Sequence, residues 1–112
     1  MPKGQYLGEF EIYVMAAAQW LQDDAYGMTI VREIEQRSGR RVAMGAVYAT
    51  LTRLEDKGLV STRVSDPLPI QGGRARRYVR LTAAGRRALA DATAMLSKML
   101  LSPATRKSGA GS

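Results

Sequence analysis

Four arginines within seven residues, Arg74, Arg76, Arg77 and Arg80, with no acid among them, are the densest chemistry in this chain. A guanidinium stays charged and offers a planar fork of N–H donors that matches phosphate oxygens. Such a cluster suits a sugar–phosphate backbone, or the negative potential of a narrow minor groove. A charge run can also be a solvated, solubilising loop; the absence of any acid here favours a polyanion.

A second set lies upstream. At about 100° per residue, Gly45, Ala46, Ala49, Thr52, Arg53 and Asp56 share one side of a predicted helix, with Tyr48 on its flank. Exposed helix faces usually carry long charged side chains, whereas this one begins with glycine and alanine. Small residues let a helix backbone approach a bulky partner such as the floor of the major groove. Thr52, Arg53 and Tyr48 could then reach phosphates or base edges. Small residues are also good helix fillers, so the face gains its meaning from the basic stretch that follows it.

Other chemistry is excluded by what is missing. The chain has no histidine and no cysteine, which removes the usual general base, the thiol nucleophile, disulfides and thiolate metal sites. Glu33 and Glu35 are two apart on a predicted helix and diverge. Gly72-Gly73 leads into a strand rather than a helix, so it is no nucleotide-cradling loop. The sequence predicts no catalysis, no cofactor and no metal. Net charge is +7, which points to an acidic partner. Residues 1–38 carry three basic against six acidic side chains, and residues 53–87 nine against three. The positive field therefore belongs to the helix and hairpin that hold the two sets above.

The elements that must position these groups follow from periodicity. Residues 7–21 read as a first helix with Leu7, Phe10, Val14, Ala17 and Leu21 on one stripe and Glu9 and Glu11 at its positive end. Ile12, Met15, Ala16 and Trp20 make it apolar beyond one stripe, so it needs a second covering surface. Asp24 is the expected N-cap of a second helix over 26–37, which Ser38-Gly39 stops. Arg40-Arg41-Val42 is expected to pair as a short strand. The third helix buries Val47, Leu51, Leu54 and Gly58, with Met44 at the edge. Ala43 stands at its N-cap without an oxygen, at about 1 kcal/mol against serine.

Gly58 caps the C-terminus of this helix behind Lys57. A strand over 59–64 follows, then a break at Asp66-Pro67-Leu68-Pro69 and a turn at Gly72-Gly73. On the returning strand Ala75, Arg77, Val79 and Leu81 alternate with Arg74, Arg76, Tyr78 and Arg80.

Thr82 is the expected N-cap of a last helix, residues 83–101. Leu89, Ala92, Leu96 and Met99 recur on it at seam spacing, widened by Ala88, Met95 and Leu100. That seam either pairs with a second copy or docks on its own domain; little chain remains to cover it, which favours pairing. The expected dimer surface is Ile12, Met15, Trp20, Leu89, Ala92, Leu96 and Met99. Residues 102–112 read as a disordered tail. No signal peptide and no membrane span is visible, so the expected location is the cytoplasm. The fold class is mainly α with a small β-hairpin. It divides into a winged helix-turn-helix over 1–82, a C-terminal dimerisation helix over 83–101, and the tail.

Four ordered segments resemble the PadR family of bacterial transcriptional regulators. They are L-G-E-F-E-I from Leu7, D-D-A-Y-G-M-T-I-V-R-E-I-E from Asp23, G-A-V-Y-A-T-L-T-R-L-E-D-K-G-L-V from Gly45, and G-G-R-A-R-R-Y-V-R-L-T-A-A-G from Gly72. The resemblance spans roughly residues 6–90. It implies a homodimeric repressor whose last helix pairs subunits, with two third helices entering successive major grooves of a near-palindromic operator. It also implies that Tyr48 touches DNA and that Arg74, Arg76 and Arg77 grip backbone or minor groove. Family members respond to phenolic acids or drug-like aromatics. With one short C-terminal helix, an aromatic effector would enter at the dimer interface, between the first and last helices. The competing reading is a winged-helix module for protein or RNA contact. The small-residue face argues against it, because it gives a protein few anchors.

Overall fold

The computed structural model describes residues 6–65 and 76–101. The order is α1 (Glu9–Leu21), a 3-10 turn (Gln22–Asp24), α2 (Gly27–Ser38), α3 (Met44–Asp56), β1 (Val60–Val64), β2 (Arg77–Leu81) and α4 (Ala83–Leu101). This is the expected mainly helical architecture with an antiparallel β-hairpin. The break at Asp66–Pro69, the Gly72-Gly73 turn, Arg74 and the expected tail lie outside the described residues.

Local chemistry sets each boundary. The Gly8 N–H donates to Glu11 Oε1 at 2.9 Å, which starts α1 two residues later than its apolar stripe suggests. The start of α2 corrects the expectation for Asp24. Its carboxylate caps nothing; instead the Thr29 hydroxyl donates to the Asp24 carbonyl at 2.6 Å and accepts the Tyr26 N–H at 3.0 Å. A β-branched hydroxyl inside the first turn thus replaces the expected cap. Gly39, at φ 71°, closes α2 in the left-handed region that favours glycine. Arg40-Arg41-Val42 forms no strand. The Val42 N–H donates to Glu35 Oε2 at 2.8 Å, so a carboxylate stands where a strand partner was expected. Ala43 is indeed the uncapped N-cap of α3, and Gly58, at φ 76°, follows its end.

In the hairpin Val60, Thr62 and Val64 face Leu81, Val79 and Arg77 across the ladder. Val60, Val79 and Leu81 are buried, so this is the inner face. Ser61, Arg63, Tyr78 and Arg80 fall on the outer face by alternation. The sheet also has an edge the sequence did not announce: the Val79 N–H donates to the Ala25 carbonyl at 2.8 Å, and Tyr26 bridges Tyr78. The turn before α2 is thereby stitched to the wing.

The core gathers α1, α2, α3, the hairpin and the start of α4 around Met15, Ile30, Val47, Leu51, Leu54 and Leu59. Thr82 caps α4 as expected, accepting the Gly85 N–H at 3.0 Å while its hydroxyl donates to the Gly58 carbonyl at 2.7 Å. A Cβ on Gly85 would lie 1.9 Å from the Leu59 carbonyl oxygen, so only glycine lets α4 approach this closely. Beyond Leu89 the helix leaves the core: Met95, Leu96, Met99, Leu100 and Leu101 are all exposed.

The packing corrects two expected dimer residues. Met15 is fully buried, and Leu89 is buried beside Ala88, both inside the chain's own core rather than on a face a second chain could reach. The stripe count on α1 could not tell which apolar side was the inner one. Ile12 is half-buried against the same core. No helix among the described residues is long and apolar enough to cross a membrane.

Candidate nucleic-acid interface

The outer side of α3 is bare, as its residue types imply. Gly45, Ala46, Ala49, Thr52 and Arg53 are exposed, and a Cβ on Gly45 would meet nothing within 4 Å. Tyr48 is 43% exposed and rests against the first turn of α2. The Thr52 hydroxyl donates to the Tyr48 carbonyl at 3.1 Å, so it is turned along the helix. Arg53 folds back: Nη2 donates to Thr50 Oγ1 at 3.2 Å, and Nε lies 3.8 Å from Glu11 Oε2.

Glu11 is the group the sequence reading undervalued. Its place at the positive end of the first helix is only part of its role: it is 6% exposed and its Oε2 accepts from Lys57 Nζ at 2.9 Å. Burial alone would push its carboxyl up. The Gly8 N–H, Lys57 and, more weakly, Arg53 more than offset this and hold it below the usual 4.5. Glu11 therefore ties the start of α1 to the end of α3. A partner 46 residues away left no local signal.

The wing arginines divide by sheet face. Arg77 points inward and pairs with Glu55 Oε1 of α3, while Glu55 Oε2 accepts from Thr62 at 2.8 Å. This corrects its place among the groups free for phosphate: alternation put it beside Val79 and Leu81, and α3 supplies an acid there. Arg80 pairs with Asp23 at 2.6 Å. Arg76 and Arg63 are held differently. Arg76 lies 4.4 Å over the Tyr26 ring and Arg63 5.1 Å over the Tyr78 ring, and the two rings meet edge to face at 5.5 Å. Stacking engages the face of a guanidinium and leaves its N–H edge to other partners; Arg76 Nη1 donates to Tyr78 Oη at 3.5 Å. Among the described residues, Arg63 and Arg76 have no acid partner at ion-pair distance, unlike Arg53, Arg77 and Arg80. Arg63 and Tyr26 were not singled out from the sequence; only the ladder register reveals that Arg63 stands opposite Tyr78.

Of the remaining expected dimer residues, Trp20, Leu96 and Met99 are exposed and Ala92 is half-buried. Trp20 also borders an open hollow of about 400 Å³ between α1 and α2, with Tyr13, Ile34 and Arg37, whose guanidinium lies 5.1 Å from the indole.

The model of the transcriptional regulator PadR-like family matches residues 19–91. The chain belongs to the PadR-like family. It is similar to the transcriptional regulator Rv3488 of Mycobacterium tuberculosis, 42% identical over 69 residues. That match covers 62% of this chain, which spans about three fifths (60%) of that relative's length. A PadR family transcription regulator from Clostridium difficile superposes with a TM-score of 0.65 at 26% identity, covering 83% of this chain and 91% of that one. A PadR-like transcription factor from Bacteroides fragilis gives 0.64 at 25% identity, covering 80% and 82%. The family so matched is one of transcriptional regulators.

Proposed function

We propose that this PadR-like protein is a sequence-specific repressor that acts in the cytoplasm as a homodimer on a near-palindromic operator. One observation carries the reading: the exposed side of α3 is paved with Gly45, Ala46 and Ala49 and edged by Tyr48, Thr52 and Arg53. Such a side can lie close to base edges in the major groove while its longer residues reach bases and phosphates. Arg76, with Arg74 of the hairpin, meets the backbone or the adjacent minor groove. The exposed apolar end of α4 and Trp20 supply the subunit contact. A twofold axis there sets the two α3 helices about one helical turn of DNA apart. An aromatic effector, on this reading, enters between α1 and α4 of paired subunits and changes that spacing.

The test is selection of genomic duplex fragments by the purified protein at a stated salt concentration, followed by footprinting. A recurring near-palindrome with half-sites one turn apart supports the reading. Binding that is indifferent to sequence, with α3 amide resonances unmoved by duplex, refutes it.

A further inference from the structure

The first turn of α2 touches both halves of the surface just described. Gly27 is buried, and a Cβ there would lie 2.7 Å from Tyr48 Oη, 2.8 Å from Tyr48 Cζ and 3.2 Å from Met44 Sδ. Glycine is the poorest helix former after proline. Its backbone here is not in the left-handed region, which among the described glycines holds only Gly39 and Gly58. What the position requires is therefore space, and the Tyr48 ring fills it. The preceding residue does the same for the wing. Tyr26 lies under the Arg76 guanidinium, meets the Tyr78 ring on its edge and bridges the Tyr78 backbone.

We infer that the Tyr26-Gly27 pair positions the DNA-contacting groups of both the recognition helix and the wing: Gly27 seats the Tyr48 ring, and Tyr26 seats Arg76. This rests on the DNA-binding reading above and adds to it two residues that need not touch DNA themselves. The ring of Tyr48 is 43% exposed and the atoms a methyl at position 27 would meet first are its outer ones, Oη and Cζ, so the methyl is expected to turn the ring outward. The hydroxyl then leaves its place at the flank of α3. Removing the Tyr26 ring leaves Arg76 the 3.5 Å bond from its Nη1 to Tyr78 Oη but no ring beneath it, which loosens its orientation toward an anion.

The experiment measures affinity and salt dependence on a duplex selected by the wild-type protein. Gly27→Ala is expected to weaken binding about tenfold, the scale of one lost base contact. In a Tyr48→Ala background the same change should cost less than about twofold, because no ring remains to be seated. Tyr26→Leu should weaken binding and lower the salt slope by about 1, while Tyr26→Phe, which keeps the ring, restores both. In an Arg76→Ala background Tyr26→Leu should add nothing.

Wild-type affinity for Gly27→Ala and Tyr26→Leu, or losses that stay fully additive in the two backgrounds, would overturn the inference while leaving DNA binding intact. Failure of the wild-type protein to select any duplex would sink the underlying reading and this one together. Should Gly27→Ala fail to fold, Gly27→Ala/Tyr48→Ala is expected to fold; a double variant that also stays unfolded overturns the role of Gly27.

Discussion

The two ends of α4 are built from the same kinds of residue and meet opposite fates. At its start Gly85, Ala88 and Leu89 are buried against the Leu59 carbonyl and the core. At its end Met95, Leu96, Met99, Leu100 and Leu101 face outward. The arginines repeat the contrast. Arg77 and Arg80 pair with acids of their own chain, whereas Arg63 and Arg76 stack on rings with no acid at ion-pair distance among the described residues. In both cases one set of groups is satisfied within the chain itself. The other is held ready, and that second set is where partners are to be sought.

The comparison breaks first at the far end of α4. On the proposed homodimer, Leu96→Glu is expected to give monomers in sedimentation at concentrations where the parent chain is expected to pair. It should weaken association at least about a hundredfold, because a twofold interface places each charge twice in an apolar seam. Melting of the single chain should change little, since Leu96 is 45% exposed and lies outside the core cluster. A persisting dimer would mean that this end is merely exposed. At the near end the expectation reverses. Gly85→Ala should destabilise the protomer by about 2–3 kcal/mol, read in denaturant unfolding, because the added methyl meets backbone that cannot turn aside. An unchanged midpoint would show that the contact with Leu59 yields easily.

The arginines give a smaller and sharper split. Arg76→Ala and Arg63→Ala should each lower the salt slope of operator binding by about 1. Arg77→Ala should leave the slope alone and instead reduce stability by up to about 1 kcal/mol, the range of a part-exposed ion pair. Equal slopes for Arg76→Ala and Arg77→Ala would erase the distinction between the two sheet faces.

Why one set was legible in the chain and the other was not follows from range. The helices, the Thr82 cap, the Gly58 stop and the bare side of α3 depend on neighbours a few residues apart, so periodicity and capping rules reach them. Even there Thr29 displaced Asp24 as the cap, because a hydroxyl in the first turn could satisfy the Tyr26 N–H that a carboxylate was expected to help. The partners of Glu11, Arg77 and Arg63 come from other elements. Alternation placed Arg77 on the face of Val79 and Leu81, but nothing local said that Glu55 would stand across from it. On α1, apolar residues on two sides made Met15 and Trp20 look alike. Only packing separates Met15, which closes the core, from Trp20, which remains outside.

The smallest expected effect concerns Glu11, where a satisfied group touches one assigned to recognition. Its carboxyl is held below 4.5 in the folded protein by the Gly8 N–H, Lys57 and Arg53, against the opposing pull of burial. A group whose folded value is depressed contributes stability in full above its unfolded value and loses it as pH falls through the folded one. Unfolding free energy should therefore drop in acid below about pH 4.5, the ordinary value for a glutamate. In Glu11→Gln that part of the slope should flatten, because the amide can still accept the Gly8 N–H but carries no charge for Lys57. The same variant frees Arg53 from its 3.8 Å approach to the carboxylate. Near neutral pH it should thus bind duplex slightly more tightly and with a steeper salt dependence. An acid slope unchanged in Glu11→Gln, measured by denaturant unfolding between pH 3 and 6, would show that the tie between α1 and α3 contributes nothing to stability.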